Sequence, residues 1–395
     1  MTPSTLTNIR SVLLALGILA TPVAVMALLL LVVAVSWDSR TFGAGILGWV
    51  MAALLAGLAG LSNPSRAKTL SMVSWAFALA SAIALLASRF LFAPGETSAT
   101  DPFQVVYIDQ NGHPAPTRYN RWSPAALVSE VDQLAMGTAL ISWIDPYIDT
   151  EKANRIDHVF HAVYEDMRSK SPAHVAAGSQ LGAAYRDLAD WEFQNGHGYA
   201  YRPATLSGPL PVLLFLHGSL GNFKGYLWVL QDLADRLGMA IVAPTFGAGN
   251  WNEPGGVETV ARWLRYCEND VSLDSSNIVL AGISNGGRGV TRTWTAMPER
   301  FSAVVCISPV FEAEILEQAF AHASPPAGPM LVIHGTQDAR IPEAYITGAV
   351  ECIRRIGIQC DYQSFAGEDH FLLFSQPGAV IQHIEHWLRD RPQRQ

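Results

Sequence analysis

A serine between two glycines has the spacing of an activated nucleophile. The segment Gly282-Ile283-Ser284-Asn285-Gly286 follows directly on the apolar run of residues 277–281. That run predicts a buried strand, and the glycines predict a sharp turn from the strand into a helix. In such a turn the serine hydroxyl is exposed under backbone strain, and a Cβ at either glycine would collide with the backbone. We therefore predict that Ser284 is a catalytic nucleophile.

An acid and a base follow two later predicted strands. Asp338 comes three residues after the apolar run 330–335, and His370 comes shortly after the predicted strand 360–365. Buried apolar runs of this kind are typical of parallel sheets, and the order Ser, Asp, His suits a catalytic triad. His370 would take the proton of Ser284, while Asp338 would hold the imidazole tautomer and stabilise the imidazolium. The sequence therefore predicts a triad of Ser284, Asp338 and His370.

Two backbone N–H groups are expected to stabilise the oxyanion that forms on the substrate. One belongs to Asn285, which follows the nucleophile. The other comes from the loop after the predicted strand 211–216, and we assign it to Ser219, with Leu220 as the alternative. His217 stands at the end of the same strand, where a structural hydrogen bond is favoured over proton transfer.

Three residues are candidates for a substrate pocket, namely Leu220, Trp251 and Asn252. Packing within their loop is an equal alternative for the last two. The sequence predicts no metal and no cofactor. His158, His161 and Glu165 share one face of a predicted helix, but nothing nearby completes a set of metal ligands.

The C-terminal half, residues 199–388, resembles the α/β-hydrolase superfamily. Three segments carry the resemblance, namely residues 216–219, 282–287 and 334–342. The Ser-Asn-Gly-Gly and Pro-Glu-Arg-Phe sequences at 284–287 and 298–301 are similar to the polyhydroxyalkanoate-depolymerase, feruloyl-esterase and dienelactone-hydrolase-like group. The resemblance implies an α/β-hydrolase fold, with a mostly parallel eight-stranded sheet flanked by helices, and hydrolysis of carboxylic esters. The chain lacks the His-Gly-Gly-Gly loop of many lipases, which counts against the hormone-sensitive-lipase branch.

The sequence predicts three domains. Residues 199–395 would form the catalytic domain, in which predicted strands and helices alternate as they do around a parallel sheet. Residues 93–198 would form a mixed extension and a possible partial lid, because the stretch between residues 308 and 330 is too short for a large cap. Within this extension the apolar spacing of Ile156, Val159, Phe160, Val163 and Met167 predicts a helix that packs on the catalytic domain.

Residues 1–92 predict a membrane domain. Three transmembrane helices are expected, at about 11–37, 41–63 and 69–92, because each uncharged stretch reaches the roughly twenty residues that cross a bilayer core. A cleaved signal peptide is the alternative for the first of them. The positive-inside rule, by a margin of one basic residue, places the N-terminus in the cytoplasm and the catalytic domain on the periplasmic or extracellular side.

Net charge and cysteine content say little about binding partners or disulfide bonds. The net charge of −8 gives no reason to expect nucleic acid as a partner. Cys352 and Cys360 flank the loop at Gly357 and could approach one another, so a disulfide is left open.

We predict a membrane-anchored serine hydrolase that cleaves small-molecule, lipid or polymer esters through an acyl-enzyme. A prolyl-oligopeptidase-like peptidase is one alternative, although such enzymes carry several hundred residues of propeller repeats upstream. An acyltransferase would use the same triad, so the sequence does not separate it from a hydrolase. A catalytically silent membrane receptor or scaffold is the alternative outside enzymology, and the intact triad argues against it.

Overall fold

The computed structural model describes residues 12, 16, 20, 23–25, 37–61, 64–87, 97, 100–115, 128–181, 196–249, 251–320 and 328–390. Contacts divide the chain into two compact units. The first comprises Met1–Pro94 and Asn120–Leu140, and the second comprises Gly95–Tyr119 and Ile141–Gln395. The predicted domain limits at residues 92 and 198 stay predictions.

The first unit is built on two long helices that pack on each other, α1 (Trp37–Leu61) and α2 (Pro64–Ala87). Their backbones approach closely, because a Cβ at Gly48 would lie only 2.0 Å from Ser81 Oγ. The Ser81 hydroxyl donates to the carbonyl of Phe77 at 2.7 Å, which satisfies it inside its own helix. Helix α3 (Glu130–Ile144) begins in this unit, where Ser129 N–H donates to Ser39 Oγ at 2.9 Å.

Within the part of the chain that the structure describes, no helix is both long and apolar enough to cross a membrane. The predicted spans at 41–63 and 69–92 are therefore not supported, and most of the predicted span at 11–37 lies outside the described residues. The helix boundaries differ as well. Helix α1 includes Asp38 and Arg40, charged residues that we expected to separate two spans.

The second unit contains an eight-stranded sheet in the order β1-β2-β4-β3-β5-β6-β7-β8. Strand β2 is antiparallel to both of its neighbours, β1 and β4. The remaining neighbours in the sheet, from β4 through β3 and β5 to β8, pair in parallel. The prediction of an α/β-hydrolase-like fold with a mostly parallel sheet is thus confirmed. The strands are Phe103–Ile108, Gly196–Tyr201, Leu210–Leu216, Ala240–Pro244, Leu273–Ile283, Ala303–Ile307, Met330–Gly335 and Cys360–Phe365 for β1 to β8.

Helices cover both faces of this sheet, as the side chains of β3 illustrate. On one face, Leu214 and the residues two before and two after it pack in a core with Trp263 and Trp294. On the other face, Phe215 contacts Tyr226 with ring centroids 5.3 Å apart. The helices that follow α3 are Thr150–Lys170, Pro172–Ala176, Lys224–Leu237, Gly256–Asn269, Gly286–Ala296, Ala313–Phe320, Glu343–Arg355, Leu372–Ser375 and Pro377–Asp390 for α4 to α12.

Helix α4 has the packing face that its sequence predicts. Asp149 caps its N-terminus by accepting from Lys152 N–H at 2.8 Å. Ile156, Phe160 and Met167 are buried along one stripe, and the helix packs on α6 and α11. The prediction of a helix that packs on the catalytic domain is confirmed.

The four cysteines of the chain are free thiols. A disulfide between Cys352 and Cys360, which the sequence left open, is therefore not formed.

Candidate active site

Ser284 occupies a strained turn between β5 and α8. Its φ of 52° lies in the left-handed region, which a residue with a side chain rarely adopts. Neighbouring backbone holds it there, because Ser284 N–H donates to Ile307 O at 3.1 Å and Ser284 O accepts from Val310 N–H at 2.9 Å. The surrounding strands therefore impose the strain that exposes the hydroxyl.

The two flanking glycines are required by close backbone contacts. A Cβ at Gly282 would lie 2.7 Å from Gly286 O, and a Cβ at Gly286 would lie 2.1 Å from Leu216 O. Real side chains do not approach backbone oxygen this closely. The prediction that any Cβ at these positions would collide is confirmed.

The structure brings the three predicted triad residues into one chain of hydrogen bonds. His370 Nε2 lies 2.9 Å from Ser284 Oγ, and His370 Nδ1 lies 2.7 Å from Asp338 Oδ2. Because a carboxylate only accepts, Nδ1 carries the proton and Nε2 is left to accept from the serine hydroxyl. This tautomer is the one that a general base for Ser284 needs.

Asp338 is buried and uses both carboxylate oxygens. Its Oδ1 accepts from the N–H groups of Arg340 and Ile341, each at 2.9 Å, while Oδ2 faces His370. Burial alone raises the pKa of Asp338, but the hydrogen bond from His370 and that from Ile341 N–H outweigh it and lower the net pKa. The carboxylate therefore stays charged beside the imidazole.

A second histidine, which we did not single out from the sequence, anchors the loop that carries Asp338. His334 is fully buried at the end of β7, and its Nε2 donates to Ile341 O at 2.9 Å. Its Nδ1, which carries no proton in this tautomer, lies 3.9 Å from Asp338 Oδ2, beyond hydrogen-bond distance. Burial lowers the pKa of His334, so the ring stays neutral and ties the loop that carries Asp338 to the strand.

The two predicted oxyanion residues meet beside the nucleophile. Asn285 Nδ2 donates to Ser219 Oγ at 2.8 Å, which joins the oxyanion loop to the turn at Ser284. Across the described residues, no hydrogen bond engages the backbone N–H of Ser219 or of Asn285. Both groups are therefore free to donate to a substrate oxygen.

A cavity of 70 Å³ opens at Ser284. Leu220, one of the predicted pocket residues, lines it. The remaining lining is mostly apolar and includes residues that we did not predict, namely Ile141, Phe160, Tyr226, Arg340, Phe371 and Phe374.

Trp251 and Asn252, for which the sequence left a pocket role and packing within the loop as equal alternatives, are not among the residues that line this cavity. Trp251 is buried in the core, where its indole N–H donates to His217 O at 2.8 Å and its ring packs against Gly289. Asn252 is exposed on the loop. A buried indole needs a partner for its N–H, and the strand end at His217 supplies one.

His217 has the structural role that we predicted. Its Nε2 accepts from Phe246 N–H at 3.1 Å, and its Nδ1 lies 2.9 Å from Gly218 O. The ring thereby bridges the loops after β3 and β4. Among the described residues, no group of three or more His, Cys, Asp or Glu side chains could hold a metal ion.

Comparison with known proteins gives one family match. The family described as Phospholipase/Carboxylesterase matches residues 257–388, a segment that contains Ser284, Asp338 and His370. No curated protein is significantly similar to the chain. The family match and the site together identify the chain as an enzyme, a serine hydrolase.

Several solved structures are similar to part of the chain. An S-formylglutathione hydrolase from Staphylococcus aureus is 18% identical with a TM-score of 0.43, and the match covers 49% of this chain and 90% of that one. An esterase from Pyrobaculum calidifontis is 16% identical with a TM-score of 0.42, over 49% and 80% of the two chains. Est1E from Butyrivibrio proteoclasticus is 14% identical with a TM-score of 0.42, over 50% and 94%. Similarity at this level carries no substrate from one protein to another.

Proposed function

We propose that this serine hydrolase cleaves carboxylic esters through an acyl-enzyme on Ser284. The observation that carries the proposal is the continuous hydrogen-bond chain from Ser284 through His370 to Asp338. The description of the matched family, which names phospholipases and carboxylesterases, supports esters over peptides.

In the proposed mechanism Ser284 Oγ attacks the ester carbonyl while His370 Nε2 takes the hydroxyl proton. The tetrahedral oxyanion accepts hydrogen bonds from the backbone N–H groups of Ser219 and Asn285. His370 then gives its proton to the departing alkoxide, and the alcohol leaves. A water molecule repeats the sequence on the acyl-enzyme, releases the carboxylic acid and restores Ser284.

Asp338 acts through His370. Its charge stabilises the imidazolium that exists in both transition states, and its hydrogen bond to Nδ1 keeps Nε2 facing the serine. The low pKa of Asp338 supports this role, since a protonated carboxyl group would supply no charge.

A fluorophosphonate probe tests the proposal directly. We expect a covalent adduct on Ser284, found by mass spectrometry of the tryptic peptide, and no adduct in Ser284→Ala. The unmodified protein should release p-nitrophenol from p-nitrophenyl esters faster than it cleaves a matched peptide amide. Ser308 offers a matched control, because it is a second serine with positive φ at a strand end, and Ser308→Ala should keep the label. Absence of both label and turnover would instead favour the alternative of a catalytically silent receptor or scaffold.

Hydrolysis and acyl transfer are separated by the fate of the acyl group. With increasing methanol in the assay, a hydrolase should still release mainly free acid, whereas an acyltransferase should release mainly methyl ester. We propose water as the acceptor, and a product ratio strongly in favour of the methyl ester would contradict that.

Placement of the catalytic unit on the periplasmic or extracellular side stays a prediction from the sequence. It requires a membrane-embedded N-terminal region, which the described helices do not support. It can be checked in cells. Protease added to intact spheroplasts should degrade the catalytic unit, and the protein should stay in the pellet after carbonate extraction. Protection from protease, or release into the supernatant, would contradict the prediction.

A further inference from the structure

We propose that Phe160 and Ile141, which lie outside the sheet and its connecting loops, close the acyl pocket and limit the enzyme to esters of short acyl chains. The inference rests on the proposed ester hydrolysis and adds the class of acyl group. It assigns residues of the segment 141–170 to substrate selection.

The cavity volume sets the chain length. An apolar cavity of about 150 Å³ in a protein holds one benzene molecule, with six carbon atoms. The cavity at Ser284 measures 70 Å³. By proportion it holds about three carbon atoms, so it accommodates acyl groups of about two to four carbons. An octanoyl chain would have to extend beyond the cavity or displace one of its walls.

The lining suits the acyl group better than the alcohol. Leu220 belongs to the oxyanion loop, and Phe160 and Phe374 present apolar rings, so an alkyl chain beside the carbonyl would be buried among apolar side chains. The alcohol, by contrast, must take a proton from His370 and depart to solvent after the first step. An apolar cavity suits the part of the substrate that stays on Ser284.

Phe160 is held too firmly to swing aside. It is 1% exposed, and its ring makes edge contacts with Phe223, Phe371 and Phe374 at centroid distances of 5.4, 6.3 and 5.2 Å. Edge-to-face pairs stabilise aromatic clusters beyond simple burial. The ring therefore acts as a fixed wall of the cavity.

Two ion pairs fasten the segment to the loops that carry the triad. Arg155, five residues before Phe160, pairs with Asp369, the neighbour of His370. Asp145, four residues after Ile141, pairs with Arg340, whose N–H donates to Asp338 Oδ1 at 2.9 Å. The cavity wall and the catalytic loops are thus held in one frame, so the wall position is defined relative to Ser284.

Chain-length profiles of the full-length protein and its variants test the inference. With p-nitrophenyl esters from acetate to dodecanoate, we expect the unmodified protein to show its highest kcat/KM between acetate and butyrate, and a value at least tenfold lower with octanoate. Phe160→Ala should move the optimum toward longer acyl chains by two or more carbons. Ile141→Ala should move it in the same direction, and it keeps the experiment informative if Phe160→Ala does not fold, because Ile141 is only half-buried.

Val159→Ala is the matched control. Val159 is half-buried on the same helix and does not line the cavity, so its profile should stay unchanged. A long-chain optimum in the unmodified protein, or an unchanged profile in a folded Phe160 or Ile141 variant, would overturn the inference and leave ester hydrolysis standing. Failure of the unmodified protein to cleave any ester or to react with the fluorophosphonate would overturn the proposed function and the inference together.

Discussion

His370 Nδ1 lies 2.7 Å from Asp338 Oδ2, and the carboxylate at that contact is buried. The other oxygen of Asp338 accepts two backbone N–H groups from its own loop. The carboxylate is therefore fully hydrogen-bonded, and its orientation is defined before any substrate binds. This contact decides which imidazole nitrogen faces Ser284, and catalysis should depend on it more than on any other contact of Asp338.

Asp338→Asn should lower kcat by about a thousandfold or more, because a neutral amide neither stabilises the imidazolium nor enforces the tautomer. Steady-state hydrolysis of p-nitrophenyl acetate measures the loss. Asp361→Asn, at an exposed carboxylate that accepts from Trp387, is the control and should keep its activity. A folded Asp338→Asn variant within tenfold of the unmodified rate would remove Asp338 from the mechanism.

His334→Phe should weaken the attachment of the Asp338 loop to strand β7. The substitution removes the donor to Ile341 O and leaves that buried carbonyl unpaired, which costs about 1–3 kcal/mol of the free energy of unfolding. Because the loop positions a catalytic group, kcat should fall while KM stays nearly constant.

Urea unfolding and steady-state kinetics check both effects of His334→Phe. His334→Gln retains a side-chain N–H donor, so it should recover part of the stability and part of kcat. If the two variants behaved alike, the hydrogen bond to Ile341 would not be the source of the effect.

Gly286→Ala should destabilise the protein severely, because its Cβ would lie 2.1 Å from Leu216 O at the base of the turn. Backbone on both sides of the contact belongs to packed elements, β3 and α8, so neither can move away cheaply. Gly348→Ala, in helix α10, meets nothing within 4 Å and should stabilise the protein by about 1 kcal/mol. Thermal unfolding of the two variants should therefore shift in opposite directions, and equal shifts would contradict the steric argument.

The features that the sequence predicted correctly are those that local pattern determines. Strand β7 coincides with the apolar run 330–335, since a buried parallel strand needs apolar side chains on both faces. The turn at Ser284 was predictable for a similar reason, because the requirement for two glycines is a property of the turn itself.

The features that the sequence did not reveal depend on contacts between distant segments. The apolar spacing of α4 predicts a packing face, but it does not indicate that α6 and α11 are the partners or that Phe160 reaches the cavity. Trp251 lies in the loop after a strand, where pocket residues often occur, but its large apolar ring is buried in the core.

His174 should make the second unit sensitive to acid. Its ring is buried, stacks on Phe103 at 3.7 Å, and leaves Nε2 without a hydrogen-bond partner among the described residues. Burial, with the nearby charge of Lys224, lowers the pKa of His174 to about 3. In the unfolded chain His174 takes up this proton near pH 6.5. Between pH 6.5 and 3 unfolding therefore binds a proton, and the free energy of unfolding decreases as the pH is lowered.

Between pH 7.5 and 5 this one group should reduce the free energy of unfolding by about 2 kcal/mol, which urea titrations at the two pH values can measure. His174→Phe keeps an aromatic ring against Phe103 but has no group to titrate, so its stability should change less over the same interval. The partner of the ring on its other side, Trp228, does not titrate either. The difference between the two pH slopes isolates His174 from the carboxylates, which both proteins share. Equal slopes would show that the imidazole gains its proton in the folded state without cost.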